Sequence, residues 1–239
     1  MVLKKRNKPF YKQFVKLRKN CQNRLKIFKF NKQKWKSFQF HSKRQLKFYK
    51  RFKLSDYKLE STSRFTSRGN SMQKRFKNLL HQKKLFILFY GGLKNKYLKR
   101  QINKINRSKK YKMSKFHNFK SYLLEFFESR LDTVLYRSKF CLSITSARQL
   151  IKHGDIIVNN SKIKTPSFIL KTDDIIEISK TSIKSRQLVK ESIDKSNFWP
   201  IPPKYLIVNY NTLQIIFLYK KEGNFLPKFT YHLNLQTFR

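Results

Sequence analysis

The donors in this sequence that could do chemistry crowd into one short stretch. Ser143, Thr145, Arg148, Gln149, Lys152 and His153 bring hydroxyl, guanidinium, amide, ammonium and imidazole groups together. With Ser143 as N-cap, the first turn of a helix offers free N–H groups and a positive dipole end to a phosphate. Arg148 and Lys152 stand four residues apart, off the apolar Ile144, Ala147 and Ile151 stripe, so both can reach the same backbone. His153, next to Gly154, suits the end of a helix better than a catalytic role. Arg130, Arg137, Lys139 and Lys162 form a second tier. Arg130 has a competing role, since Asp132, Glu128 or Asp155 could pair with it and fix helix packing. Upstream, Lys74, Arg75, Lys83, Lys84, Lys99 and Arg100 add phosphate contacts, each individually dispensable.

Catalytic chemistry is not indicated. Gly-rich phosphate loops, HExxH, GxSxG and paired carboxylates are absent from the sequence, so no catalytic residue, metal ligand or cofactor is expected. Cys21 and Cys141 lack CxxC or Cys/His partners at metal-ligand spacing and are expected to be reduced thiols. The apolar runs Leu85–Tyr90 and Ile215–Tyr219 are far shorter than a membrane span, so no membrane partner is expected.

Charge names the partner class. Among 239 residues, 57 Lys and Arg against 12 Asp and Glu give a net charge of +45, and self-repulsion of that size calls for a polyanion. An aromatic content of 15% is too high for a disordered polycation, so part of the chain folds. Residues 1–124 hold 39 basic residues and only Asp56 and Glu60 as acids; residues 125–239 hold 18 basic residues and 10 acids. The first half interleaves the two types, as in Phe28-Lys29-Phe30 and Lys74-Arg75-Phe76-Lys77, which suits rings in a helical core beside cations on phosphates. Ala147 is the single alanine while Lys, Phe, Asn, Ile and Tyr abound, the codon signature of an AT-rich, organellar genome. A basic N-terminus also fits a transit peptide, but the composition runs on without a boundary for over a hundred residues.

Several elements must position these residues. Leu79, Leu80, Leu85 and Leu88 recur at helical spacing up to Tyr90-Gly91-Gly92, and a second basic helix follows over Leu93–Ile105. Leu124, Phe127, Leu131, Val134 and Leu135 predict one amphipathic helix over Ser121–Arg137. Ser143 to Gly154 predicts a short capped helix. Ile156-Ile157-Val158, Asn159-Asn160 and Ser161-Lys162-Ile163 then predict a hairpin with a type I′ turn, the asparagines serving the turn first. Phe168–Leu170 and Ile175–Ile178 continue the strands. A helix over 182–196, with Ile183, Leu188 and Ile193 apolar, precedes a hairpin of Tyr205–Val208 and Leu213–Tyr219. The fold class is α+β: a basic helical N-terminal region, a small module of two short helices and a curled antiparallel sheet, and a C-terminal helix and hairpin. The expected divisions are a basic extension over 1–71, partly extended or helical and ordered by its polyanion, with residues 61–71 resembling a linker. A basic helical region over 72–120 follows, then the module over 121–181, and a segment over 182–239 packing on the helical region.

Glu128-Ser-Arg-Leu-Asp-Thr-Val-Leu-Tyr-Arg137, Ser146-Ala-Arg-Gln-Leu-Ile-Lys-His-Gly154, Ile157-Val-Asn-Asn160, Thr165-Pro-Ser-Phe168 and Asp173-Asp-Ile-Ile-Glu177 follow in order and without gaps. Together they resemble the alpha-L RNA-binding domain of the ribosomal small-subunit protein four family. Phe89-Tyr90-Gly91 with Leu93, Lys96, Leu98 and Arg100 resembles the preceding helix of organellar members, and Pro203-Lys-Tyr-Leu-Ile-Val-Asn209 resembles the family's Pro-x-Trp-Leu-x-Val-Asp. Asn160 stands where the family has the glycine of Val-Asn-Gly, Thr172-Asp173 where it has Pro-Gly, and residues 1–60 match nothing recognisable. The resemblance implies a structural constituent of the small ribosomal subunit whose partner is small-subunit ribosomal RNA at a multi-helix junction.

 It implies binding early in assembly, on the side where mRNA enters, beside ribosomal protein five and within reach of mRNA. The expected location is the mitochondrial ribosome in the matrix, with the plastid as the alternative. A free RNA-binding chaperone or ribosome-associated factor carrying the same module is the other reading. Arg130-Leu131-Asp132 also occurs in pseudouridine synthases, but here it lies within an amphipathic helix with no catalytic domain beside it.

Overall fold

The computed structural model describes residues 10–17, 31–40, 72–107, 119–194 and 202–218. The chain divides into two compact units, Met1–Lys94 with Phe229–Arg239, and Asn95–Lys228. The boundary therefore falls inside the region expected over 72–120. The linker-like residues 61–71 lie outside the described residues.

In the first unit, α1 spans Phe10–Lys16, α2 covers residues 33–40 and α3 spans Met72–Phe89. The end of α3 follows from its glycines. Gly91 and Gly92 take φ of 69° and 74°, and the Gly92 and Leu93 N–H groups both close on the Ile87 carbonyl. Leu85, Phe86, Leu88 and Phe89 are buried just before this turn, with the Tyr90 ring 4.9 Å from Phe86 and 5.0 Å from Phe89.

The second unit opens with α4 (Asn95–Arg107), α5 (Phe119–Glu128), α6 (Leu131–Arg137) and α7 (Ile144–His153). Strands β1 (Ile156–Val158), β2 (Ser161–Lys162) and β3 (Asp174–Ile178) follow, then α8 (Ile183–Asp194), β4 (Leu206–Asn209) and β5 (Gln214–Phe217). The strands form one antiparallel sheet in the order β2-β1-β3-β5-β4. Its inner face joins the helices in a single core that includes Leu131, Leu135, Ala147, Ile151, Ile156, Ile176, Ile215 and Phe217.

Three expectations need correction. The single helix over Ser121–Arg137 is two, broken where Arg130 turns extended at φ −73° and ψ 137°. Residues 166–170 lie along the break: the Leu170 N–H donates to the Ser129 carbonyl and the Leu131 N–H to the Phe168 carbonyl, both at 2.9 Å, and Arg130 bridges Ile169. Helical spacing continues across the break, so periodicity alone cannot show it. The C-terminal hairpin extends the module's own sheet, since β5 pairs with β3 through Ile175↔Ile216 and Ile176↔Ile215. Without it β3 would be an open edge. Finally, α8 buries Ser185 and Val189 and leaves Ile183 and Leu188 exposed. Asp155 sets that rotation by accepting hydrogen bonds from the Ser182 and Ser185 hydroxyls at 2.6 and 2.7 Å.

The local turn chemistry follows the expected pattern. Asn159 and Asn160 take φ of 46° and 65°, as a type I′ turn requires. The Asn159 amide also accepts from the Ile175 N–H and donates to Asp174 Oδ1, tying the hairpin to β3.

Candidate nucleic-acid interface

Helix α7 is built by local signals. Ser143 is extended at φ −151° and its hydroxyl accepts the Ser146 N–H at 3.2 Å, while Gly154 closes the helix in the left-handed region at φ 80°. Ile144, Ala147 and Ile151 turn inward. Thr145, Ser146, Gln149, Lys152 and His153 are exposed, and Ser143 and Arg148 are half-buried at the margin. Lys152 and His153 also stabilise the negative C-terminal end of the helix.

The arginines of the module sort differently. Asp132 is fully buried and accepts from Arg130 Nε at 3.0 Å and Nη2 at 2.8 Å, together with Arg148 Nε at 2.7 Å. Arg130 Nη1 donates to the Tyr97 hydroxyl at 2.6 Å. Burial by itself would lower the Arg130 pKa, but the Asp132 hydrogen bonds and charge outweigh it and hold the guanidinium above its ordinary value. Arg137 forks onto the buried Glu128 at 2.9 Å on each arm, and the Tyr205 hydroxyl donates to the same carboxylate at 2.7 Å. Burial and the neighbouring Glu128 charge both raise the Tyr205 pKa. Arg130, expected to meet phosphate, is thus buried, Arg137 is half-buried with its guanidinium held by Glu128, and Arg148 reaches the surface only with its Nε engaged. Asp132 was among the three partners weighed for Arg130; Glu128 and Asp155 serve other groups.

This second network joins α5, α6 and the turn that leads into β4. Tyr205→Phe should cost about 1–3 kcal/mol by taking one donor from a buried carboxylate, read as a lower urea midpoint at unchanged m-value. An unaltered midpoint would show that the hydroxyl contributes nothing.

The other candidates fall into separate places. Lys139, in the turn after α6, has φ 71° and is half-buried; burial, then the Arg137 charge, lowers its pKa. Lys162 is exposed on β2. Lys164, absent from the sequence candidates, is exposed and lies over the end of α7, its Cε 3.5 Å from where a Cβ on Gly154 would sit. Lys99 and Arg100 share the outer face of α4 with Lys96, Asn103, Lys104 and Arg107, and these residues line one shallow basic depression. Lys96, Lys104 and Arg107 were missed, although their three- and four-residue spacing opposite Leu98, Ile102 and Ile105 carries the signal. In the first unit Lys83 is half-buried and Lys84 exposed, whereas the side chains of Lys74 and Arg75 lie outside those described.

Burial pushes the Cys141 thiol up to about 12. Among the described residues no cluster of His, Cys, Asp or Glu could hold a metal ion, and no helix is long and apolar enough to cross a membrane.

Comparisons with known proteins agree with this architecture. The S4 domain family matches residues 129–176, from the helix break into β3. Small ribosomal subunit protein uS4m of Marchantia polymorpha is 32% identical over 154 residues, 64% of this chain and 74% of that protein. Small ribosomal subunit protein uS4 of Aquifex aeolicus is 36% identical over 126 residues, 52% of this chain and 54% of that protein. The Thermotoga maritima uS4 is 32% identical over 106 residues, 44% of this chain and 50% of that protein. The chain spans about half the length of these bacterial relatives. With three quarters of the Marchantia protein covered and the S4 domain in place, the chain belongs to the uS4 family of small ribosomal subunit proteins.

Proposed function

We propose that this chain is a structural constituent of an organellar small ribosomal subunit and binds its ribosomal RNA through three cationic surfaces. These are the outer face of α7 with Thr145, Gln149, Lys152 and His153, the β2 side with Lys162 and Lys164, and the α4 stripe. The observation that carries the reading is the removal of carboxylates from this face. Asp132 and Glu128 are buried against arginines, so the exposed face of α7 is left with donors and cations alone. A folded cassette supplies registration on a particular RNA shape, and the surrounding lysines supply affinity.

The finer reading places the chain at a multi-helix junction early in subunit assembly, on the side where mRNA enters and beside ribosomal protein five. The name of the Marchantia relative, uS4m, supports a mitochondrial ribosome, with a plastid ribosome as the alternative. The relatives named above are ribosomal constituents, which supports a binding role without catalysis.

Salt titration tests this. With about six phosphates engaged, affinity of the full chain for a small-subunit RNA transcript should fall about a thousandfold between 50 and 200 mM salt. A response as flat as that of a neutral protein would remove the phosphate contacts from the reading.

A further inference from the structure

The outer face of the sheet changes character from one edge to the other. Ile175, Ile216 and Ile207 stand side by side across β3, β5 and β4. Ile175 is 43% and Ile207 52% exposed, with Ile216 half-buried between them. The next row is polar: Glu177, Gln214 and Asn209 are aligned, and Gln214 Nε2 donates to Glu177 Oε1 at 2.7 Å. Lys162 lies in the Glu177 row on β2, two strand spacings or about 10 Å from Glu177 and four, about 19 Å, from β4. Lys204 precedes β4, at the end of that strand remote from the Glu177 row. Beyond β4 no further strand is paired among the described residues.

A row of branched aliphatic side chains gives a phosphate no donor and a base no ring to stack on. Glu177 beside it repels a nucleic-acid backbone. The same carboxylate suits a polypeptide rich in Lys and Arg, which is what a neighbour that also neutralises RNA must be. We infer that the isoleucine row at the β4 edge, with Glu177, docks a basic segment of a neighbouring ribosomal protein. That segment lays apolar side chains on Ile175, Ile216 and Ile207 and sets a Lys or Arg against Glu177. The inference rests on the ribosomal reading above and adds to it a surface and a partner chemistry.

Photo-crosslinking tests the two separately. The full chain, with benzoylphenylalanine in place of Ile207, is assembled into small subunits, and a second preparation carries the probe in place of Lys152. The expected adduct at position 207 is a peptide of another ribosomal protein containing Lys or Arg beside apolar residues. An adduct to RNA, to a second copy of this chain, to the chain itself or to nothing at position 207 overturns the docking surface. An RNA adduct at position 152 upholds the RNA reading whatever happens at 207, and its absence counts against that reading alone. Adding Ile175→Lys to the 207 probe should cut the protein adduct about tenfold, the ratio that ~1.4 kcal/mol produces, with no change in the thermal melt. An unchanged yield in a folded variant also overturns the proposal.

Discussion

Asp132→Ala should destabilise the second unit by about 3–5 kcal/mol, enough to put a domain of ordinary stability close to unfolding. The carboxylate has no exposed surface and accepts from Arg130 twice and Arg148 once, so its removal leaves two guanidinium groups facing each other without a counter-charge. The side chain of Arg130 is 5% exposed and has no route to water without disrupting the break between α5 and α6. Chemical denaturation of the full chain would measure the loss. Replacing the whole set, with Arg130→Met, Asp132→Leu and Arg148→Met together, should recover most of it, because no uncompensated charge then remains. A single Asp132→Ala variant within about 1 kcal/mol of the parent would show that the cluster does not organise the fold.

The second large effect is on RNA. Lys152→Glu with Lys162→Glu should weaken binding to small-subunit RNA about a hundredfold, since each exchange replaces attraction by repulsion. Both side chains are exposed, so the thermal melt should fall only by the small amount that Lys152 lends the C-terminal end of α7. Arg148 is the instructive contrast. Arg148→Glu would set a carboxylate against buried Asp132, and any loss of RNA binding would follow from damage to the cassette. Parallel titrations and melts separate the cases: binding lost with an intact melt marks a contact, and both lost together mark scaffolding. Full affinity in the Lys152/Lys162 variant would remove α7 and β2 from the interface.

The different fates of these basic residues show how far local pattern reaches. Ser143, Gly154 and the Asn159-Asn160 turn act over four residues or fewer, and the structure has each where its chemistry requires. The α4 stripe is equally local, because helical spacing alone separates Leu98, Ile102 and Ile105 from Lys99 and Arg100. Arg130, Arg137 and Arg148 look alike in sequence, and their surroundings decide which are buried. Asp132 takes Arg130 and Arg148, while Glu128 takes Arg137 and, from 77 residues away, the Tyr205 hydroxyl.

By itself the sequence determined the charge, the polyanionic partner class, the capped helix and the tight hairpin, since composition and short-range hydrogen bonding need no distant residue. Only the tertiary structure decided the break at Arg130, the addition of β4 and β5 to the sheet, and which cations face water. Those outcomes depend on pairings across long stretches of chain, such as Ser129 with Leu170 and Ile176 with Ile215, where the gain from satisfying a buried charge or a strand edge exceeds local helical preference.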